Sequence, residues 1–204
     1  MLPRSSAGLA QLGVSFGLLS AVGLVAGVTV GARERAAGGP TPGPASVATE
    51  VPLSQALAEL RQRGLAFPVD GVRSARLADS FDDSRGHGRR HRALDIAAPR
   101  DTPVRAVDDG VLTRLTRSAL GGISLYQLDA QGRYGYYYAH LDRYAPGLRE
   151  GQRVARGEVV AYVGSTGNAA RGAPHLHFAI HRLDGGREWS GDPVNPYLVL
   201  RADD

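Results

Sequence analysis

The chain of 204 residues is 43% hydrophobic and 22% charged, which is enough apolar content to bury one core and too much for a disordered chain. It contains no cysteine, which excludes disulfides, thiolate nucleophiles and thiolate metal sites. It contains no lysine either, which excludes a Walker-type phosphate-binding loop, because that loop requires a lysine. A net charge of +4 suits cell-wall polymers, phospholipid and nucleic acid alike, so charge alone selects no partner.

An uncharged segment covers residues 11–32, with Arg4 before it and Arg33 after it. A helix of this length would cross a bilayer core of about 30 Å. Cleaved signal peptides usually have a shorter apolar core of about 7 to 15 residues, which favours a membrane anchor, although Val30-Gly31-Ala32 would also serve as a cleavage site. We therefore expect residues 1–35 to be a membrane anchor or signal segment that places the remaining chain outside the cytoplasm.

The rest of the sequence divides into three parts. Residues 36–51 are rich in Pro, Gly and Ala without an apolar period, which is typical of a linker. Residues 52–64 carry leucines at helical spacing and end in glycine, which predicts a short helix. Residues 65–204 are short β-prone runs punctuated by Gly, Asp-Gly and Pro. This pattern predicts a mainly β domain with an antiparallel sandwich or barrel-like fold.

Two short motifs carry the residue types of a metal site. The stretch GAPHLHFAI sets His175 and His177 one residue apart in a predicted strand, and alternation puts both on the same face. In HRALDIAAP, His91 and Asp95 are four residues apart, so they share a face in a strand and a side in a helix. Two imidazoles and a carboxylate make the three-ligand set of a catalytic zinc, which lowers the pKa of its water to about 7. The residues alone leave open which histidine of the pair is the ligand, and whether the pair is merely half-exposed on a sheet.

Alternating tyrosines precede a further histidine. Tyr134, Tyr136 and Tyr138 point to the same side as His140 if their strand is regular. Tyr136 or Tyr138 could then line a groove beside the histidines and bind a substrate. The alternative is ordinary aromatic packing on a half-buried sheet.

Three motifs, in this order and spacing, resemble the lysostaphin-type or LytM-type zinc endopeptidases of bacterial peptidoglycan: HRALDIAAPRDTPVRAVDDGVL, YYYAHL and GQRVARGEVVAYVGSTGNAARGAPHLHFAI. The resemblance covers roughly residues 66–198. It implies one zinc ion and five site residues, namely the ligands His91, Asp95 and His177 and the non-ligand catalytic histidines His140 and His175. Ala93 departs from the family pattern, which commonly has glycine between the ligand histidine and aspartate.

The resemblance also implies a function and a place of action. It indicates a zinc-dependent endopeptidase that hydrolyses peptidoglycan stem peptides or cross-links, on the periplasmic side of the inner membrane or exported after cleavage of its leader. The alternative is a non-catalytic envelope module that binds and activates a cell-wall amidase, but all five site positions are present, which favours the enzyme. No nucleic-acid partner is expected, because no recognised binding motif accompanies the positive charge. No motif indicates which peptide bond is cut.

Overall fold

The structure of the protein is a computed structural model that describes residues 52–86, 88–183 and 191–201. The predicted anchor, residues 1–35, and the predicted linker, residues 36–51, lie outside these ranges. Within them, no helix is long and apolar enough to cross a membrane.

Two α-helices pack against each other at the ends of the described chain. The first, α1 (Leu53–Arg63), ends at Gly64, whose φ of 64° is the left-handed conformation that glycine adopts without strain. The second, α2 (Pro196–Leu200), follows the last strand. The helix expected before the β domain is therefore present. It belongs to the same core as the strands, to which it contributes Ala56 and Leu60.

The strands in the described part of the chain form one hydrogen-bonded sheet. A 3₁₀ turn at Ser74–Arg76 precedes nine strands: β1 (Leu94–Ala97), β2 (Pro103–Arg105), β3 (Gly110–Ser118), β4 (Gly122–Asp129), β5 (Tyr134–Tyr144), β6 (Arg153–Val154), β7 (Val159–Val163), β8 (His175–Arg182) and β9 (Asp192–Val194). The main path runs β1-β8-β5-β4-β3-β6, while β7 pairs with β2 and β5, and β9 pairs with β8. Every pairing is antiparallel, which confirms the mainly β, antiparallel prediction.

The side chains of strand β8 alternate between the core face of the sheet and the opposite face. Its residues Leu176 and Phe178 are fully buried, whereas His175 and His177 are half-buried on the other side. Strand β1 runs antiparallel to β8 and sets Asp95 directly opposite His177. The register of two neighbouring strands thus brings a carboxylate and an imidazole together.

Strand β5 contains an irregularity that changes the face on which its later side chains lie. Tyr138 lies opposite Leu125 of β4, and Leu141 lies opposite Ile123, so three steps along β5 match two steps along β4. This mismatch is a β-bulge, and His140 within it has a φ of 59°. The extra residue moves His140 away from the core face that Tyr138 occupies.

Candidate active site

Three side chains converge on one point of the face opposite the core. His91 lies in the segment before β1, Asp95 in β1 and His177 in β8. The His91 Nε2 lies 2.9 Å from the His177 Nδ1 and 3.0 Å from the Asp95 Oδ1, and the latter two atoms are 3.1 Å apart. Ligand atoms around a tetrahedral zinc are about 3.3 Å apart, given metal–ligand distances of about 2.0 to 2.2 Å. Among the described residues, this triad is the group whose ligand atoms lie close enough to share a metal ion.

Hydrogen bonds outside the triad orient its members. The Nδ1–H of His91 donates to the main-chain carbonyl of Ser80 at 2.8 Å, so the Nε2 of a neutral His91 presents its lone pair to the other ligands. The Ser80 hydroxyl accepts a hydrogen bond from the main-chain N–H of Asp95 at 3.2 Å. Arg85 donates to the Asp95 Oδ2 at 2.5 Å, which leaves Oδ1 for the shared point. No sequence motif marked Ser80 or Arg85 as part of the site.

The protonation states of Asp95 and His177 suit a divalent cation. Burial raises the pKa of Asp95, but hydrogen bonds from His177 and Arg85, together with the neighbouring His91 ring, outweigh burial and hold that pKa far below its usual range. Burial lowers the pKa of His177, and the neighbouring Asp95 carboxylate opposes this only in part. An ionised carboxylate and neutral imidazoles are the forms that bind a metal ion. The donor set and its spacing therefore fit zinc.

Two further histidines lie beside the triad. The rings of His140 and His175 are 5.0 Å apart between centroids, and the His140 ring is 5.6 Å from the ring of His177. The Nδ1–H of His140 donates to the carbonyl of Thr166, and that of His175 donates to the carbonyl of Ala173, each at 2.9 Å. A neutral ring held in this way carries its free lone pair on Nε2. Burial lowers the pKa of His140, against the opposing hydrogen bond to Thr166, and so favours its neutral form.

The turn that carries Thr166 depends on two glycines. The sequence GSTGN, residues 164–168, begins the connection from β7 to β8, and it packs against the start of β4. Gly122 and Gly167 have φ values of 63° and 74°. A Cβ on Gly122 would lie 2.2 Å from the Thr166 Oγ1 and 2.5 Å from the Gly167 nitrogen, which is closer than side chains approach. These glycines therefore let the Thr166 carbonyl reach His140.

The prediction that Tyr136 and Tyr138 line the groove is wrong. Both side chains are fully buried in the core. The Tyr136 hydroxyl donates to the Asp108 Oδ2 at 3.0 Å, and the Tyr138 hydroxyl donates to the Gln127 Oε1 at 2.7 Å. These two tyrosines thus satisfy buried polar groups, which corresponds to the aromatic-packing alternative.

Tyr137 takes the position that the sequence pattern had given to its neighbours. Its ring meets that of His177 nearly edge-on at 6.0 Å, and it lines the groove over the site. The physical reason is the β-bulge at His140, because the extra residue puts His140 on the face of Tyr137. Regular alternation would have put His140 on the face of Tyr138.

An open groove of about 520 Å³ passes over the triad and the two further histidines. On the side of β1, where Arg85 contacts Asp95, the groove is lined by the arginines Arg85, Arg89 and Arg90. On the side of β5, where the Gly121 carbonyl accepts the His140 N–H at 2.8 Å, its lining is neutral and consists of Leu120, Gly121, Asn168, Ala169 and Ala170. The two sides therefore differ in charge.

Fold and site together define a class of protein: an antiparallel β domain with a candidate metal site of two histidines and one aspartate, and with two more histidines in the same open groove. Residues 89–196 match the family model of Peptidase family M23, and the chain belongs to that family. The resemblance to lysostaphin-type endopeptidases is thereby confirmed.

Relatives and solved structures agree with this assignment. An L-Ala-D-Glu endopeptidase from Bacillus subtilis (strain 168) is 35% identical over 144 residues, which cover 67% of this chain and 43% of that protein. The glycyl-glycine endopeptidase ALE-1 from Staphylococcus capitis is 35% identical over 115 residues, which cover 55% of this chain and 30% of that protein. The crystal structure of a lytM protein from Ruminococcus gnavus ATCC 29149 has a TM-score of 0.59 at 30% identity, covering 73% of this chain and 63% of that one. The chain spans less than half the length of these two curated relatives.

Proposed function

We propose that the protein is a zinc-dependent endopeptidase that hydrolyses peptide bonds in peptidoglycan stem peptides or cross-links. The observation that carries this proposal is the meeting of His91, Asp95 and His177 within 3.1 Å of one another, beside two histidines whose Nδ1 atoms are otherwise occupied. The two relatives above are named as endopeptidases for different bonds, L-Ala-D-Glu and glycyl-glycine. They support the reaction type and leave the bond to experiment.

The metal would be held by the His91 Nε2, the Asp95 Oδ1 and the His177 Nδ1. When bound, zinc supplies a Lewis acid for the peptide carbonyl and a water with a pKa of about 7. The outer hydrogen bonds to Ser80 and Arg85 keep the ligand atoms aimed at the shared point. A module that only bound an amidase would have no need of this complete and oriented set.

His140 and His175 would carry the proton during hydrolysis. Each has its Nδ1–H fixed on a main-chain carbonyl, so its Nε2 accepts a proton first and can then donate it. One ring takes the proton of the attacking water as the new C–O bond forms, and that proton passes to the amine as the C–N bond breaks. The other ring, when protonated, can donate a hydrogen bond to the carbonyl oxygen as negative charge develops there.

Digestion of purified sacculi tests the proposed reaction. The zinc-loaded full chain should release peptide fragments from sacculi with direct cross-links, from sacculi with glycyl bridges, or from both, and mass spectrometry should identify a cleaved peptide bond. His140→Ala, loaded to the same zinc content, is the matched control and should release far less. Absence of new peptide termini with the fully loaded chain would overturn the proposal, and release only after addition of an amidase would favour the non-catalytic module.

We further propose that the domain acts in the cell envelope, on the periplasmic side of the inner membrane, tethered by residues 11–32 or exported after cleavage. The uncharged composition of that segment and the substrates in the relatives' names support this placement. A reporter that works only outside the cytoplasm, fused after Asp204, should be active. Activity of a reporter that works only inside the cytoplasm would contradict the placement.

A further inference from the structure

The arginine side of the groove is built into the same local structure as the metal ligands. Ser84 and Arg90 form a β-bridge, and the Arg85 N–H donates to the Arg89 carbonyl at 3.0 Å. The His91 N–H donates to the Asp83 carbonyl at 2.9 Å, which ties this short hairpin to a ligand residue. The backbone of these arginines is therefore anchored beside the site.

The positive charge on this side is only partly compensated. Arg85 is already paired with Asp95. Arg90 donates one guanidinium nitrogen to the Asp82 carbonyl at 2.7 Å, which leaves its charge without a carboxylate partner among the described residues. Arg89 is exposed, and its side chain has no hydrogen bond or ion pair with any described residue. Two guanidinium groups thus remain available to an anion.

Neighbouring acidic side chains do not neutralise the groove. The Asp82 carboxylate pairs with Arg92 at 2.9 Å, and Asp83 is not among the residues that line the groove. Asp95 is the one carboxylate in the described lining, and it belongs to the proposed metal site. The lining of the opposite side is neutral, so the arginines that line the described groove lie on the β1 side.

We propose that Arg89 and Arg90 bind a carboxylate of the substrate close to the cleaved bond. The enzyme would then select acidic peptides, which carry free carboxylates as in a D-Glu stem, over neutral ones such as amidated stems or glycyl bridges. Guanidinium groups suit this role because their planar N–H pairs match the two oxygens of a carboxylate. The neutral side, with Ala169 and Ala170, leaves room for a small uncharged residue, so the charge difference would also fix the direction in which the peptide lies. This inference rests on the proposed function.

A matched pair of peptides tests it with the zinc-loaded full chain. One is a stem tetrapeptide of L-Ala, D-Glu, diaminopimelate and D-Ala with all carboxylates free, and the other has the carboxylates of D-Glu and diaminopimelate converted to amides. Both are offered in one reaction, and mass spectrometry gives the ratio of their kcat/KM values. Binding of each peptide to the metal-free chain, measured by calorimetry, gives a second readout that needs no turnover.

We expect the free-acid peptide to be preferred on the order of 10-fold in both readouts, because two partly exposed ion pairs are each worth a few-fold. The preference should shrink as salt is raised. The double variant Arg89→Gln with Arg90→Gln should lose it. The double variant Arg149→Gln with Arg153→Gln also removes two exposed positive charges, in and just before β6 at the other end of the sheet from β1, and should keep the preference.

Failure of this inference can be told apart from failure of the proposed function. Cleavage of both peptides at equal rates, or a preference that survives in the double variant, would overturn the role of the arginines and leave the endopeptidase intact. Tighter binding of the free-acid peptide that depends on Arg89 and Arg90, without any cleavage, would support the carboxylate site, and the digestion of sacculi, which also contain cross-links, would then decide the proposed function. Because the amide substitution changes the peptide and not the protein, the test does not depend on how a variant folds.

Discussion

The four histidines of the site differ in which ring nitrogen the protein has already used. His91, His140 and His175 each donate Nδ1–H to a main-chain carbonyl and present Nε2 to the site. His177 presents Nδ1 instead. Distance from Asp95 separates residues that share the Nε2 pattern, since the Nε2 of His91 lies 3.0 Å from the Asp95 Oδ1 and that of His175 lies 3.9 Å from it.

Substitution of single residues should separate metal ligands from proton carriers. His91→Ala, Asp95→Ala and His177→Ala should each lose bound zinc together with activity, since two remaining ligands hold the ion poorly. His140→Ala and His175→Ala should keep near-stoichiometric zinc but lose turnover on the order of 10²-fold to 10⁴-fold. Zinc content per chain, measured by elemental analysis, is the readout that separates the classes.

Two patterns would contradict this division. Loss of zinc in His175→Ala with retention in His177→Ala would exchange the roles of the two strand neighbours. Retention of zinc in all five variants would mean that the metal binds elsewhere.

The metal-free chain should be less stable in mild acid. Burial lowers the pKa of His140 and His177 below the value of 6.5 of an exposed imidazole. The unfolded chain therefore binds these protons at a higher pH than the folded chain. The free energy of unfolding should hold above pH 6.5 and fall as the pH drops through 6.5 towards the folded-state pKa values. Urea unfolding at about pH 7.5 and pH 5.5 measures this, and His140→Gln should make the difference smaller.

Some of this site could be predicted residue by residue and some could not. The four-residue spacing of His91 and Asp95 and the alternation around His177 indicated a shared metal, because covalent spacing and strand geometry are local properties. The hydrogen bond from His140 to Thr166 could not be predicted, because its acceptor is a main-chain carbonyl and every residue has one. The guanidinium groups of Arg89 and Arg90 were unremarkable in a sequence rich in arginine.

At the scale of single elements, one bulge decides which side chains meet. Strand β5 follows the period of two up to Tyr138 and then inserts one residue, so His140 joins Tyr137 beside the ligands. A prediction based on regular alternation fails at this point by one residue, which is enough to exchange the faces of Tyr136 and Tyr137. The unusual φ of His140 is set by pairing with β4, a contact that sequence spacing does not reveal.

Gly122, at the start of β4, packs against the turn at residues 164–168. Substitution of Gly122 therefore tests whether this contact supports the β-bulge at His140. Gly122→Ala should displace the Thr166 turn and with it His140, because the added Cβ would overlap Thr166 and the Gly167 nitrogen. We expect a loss of more than about 2 kcal/mol in unfolding free energy, from left-handed strain and overlap together, and a drop in turnover with zinc retained.

Gly147→Ala is the matched control for this variant. Its φ of 76° carries the same backbone strain, but a Cβ there would meet nothing within 4 Å. It should lose only about 1 to 2 kcal/mol and keep its turnover. Equal losses of turnover in the two variants would contradict the support role of Gly122.

For the whole molecule, composition and turn spacing were sufficient to predict a mainly β, antiparallel domain. Glycine, proline and Asp-Gly turns between short β-prone runs indicated antiparallel strands, and the described strands are all antiparallel. The order β1-β8-β5-β4 was beyond such reasoning, because it joins strands about eighty residues apart through contacts that no local pattern encodes. That order nevertheless makes the site, since it sets Asp95 against His177.

The domain should fold without its N-terminal segment. The buried hydrophobic core of the described residues runs from Ala56 to Val199, so both helices and the strands between them supply one continuous core. A chain beginning at Ala36 should therefore unfold in a single cooperative transition with urea, followed by circular dichroism, and should still bind zinc. A broad, non-cooperative loss of signal would place the domain boundary elsewhere.

The hydrogen bonds around the ligands have a consequence for the order of assembly. In small zinc domains the ion is the folding nucleus, and the chain is unfolded before it arrives. Here the pairing of β1 with β8 and the anchoring of His91 on Ser80 orient the ligands through the protein's own framework. Folding of the chain could then precede binding of the proposed zinc ion, which could bind to and dissociate from an already folded domain. Zinc supply would then regulate the proposed activity without changing whether the chain is folded.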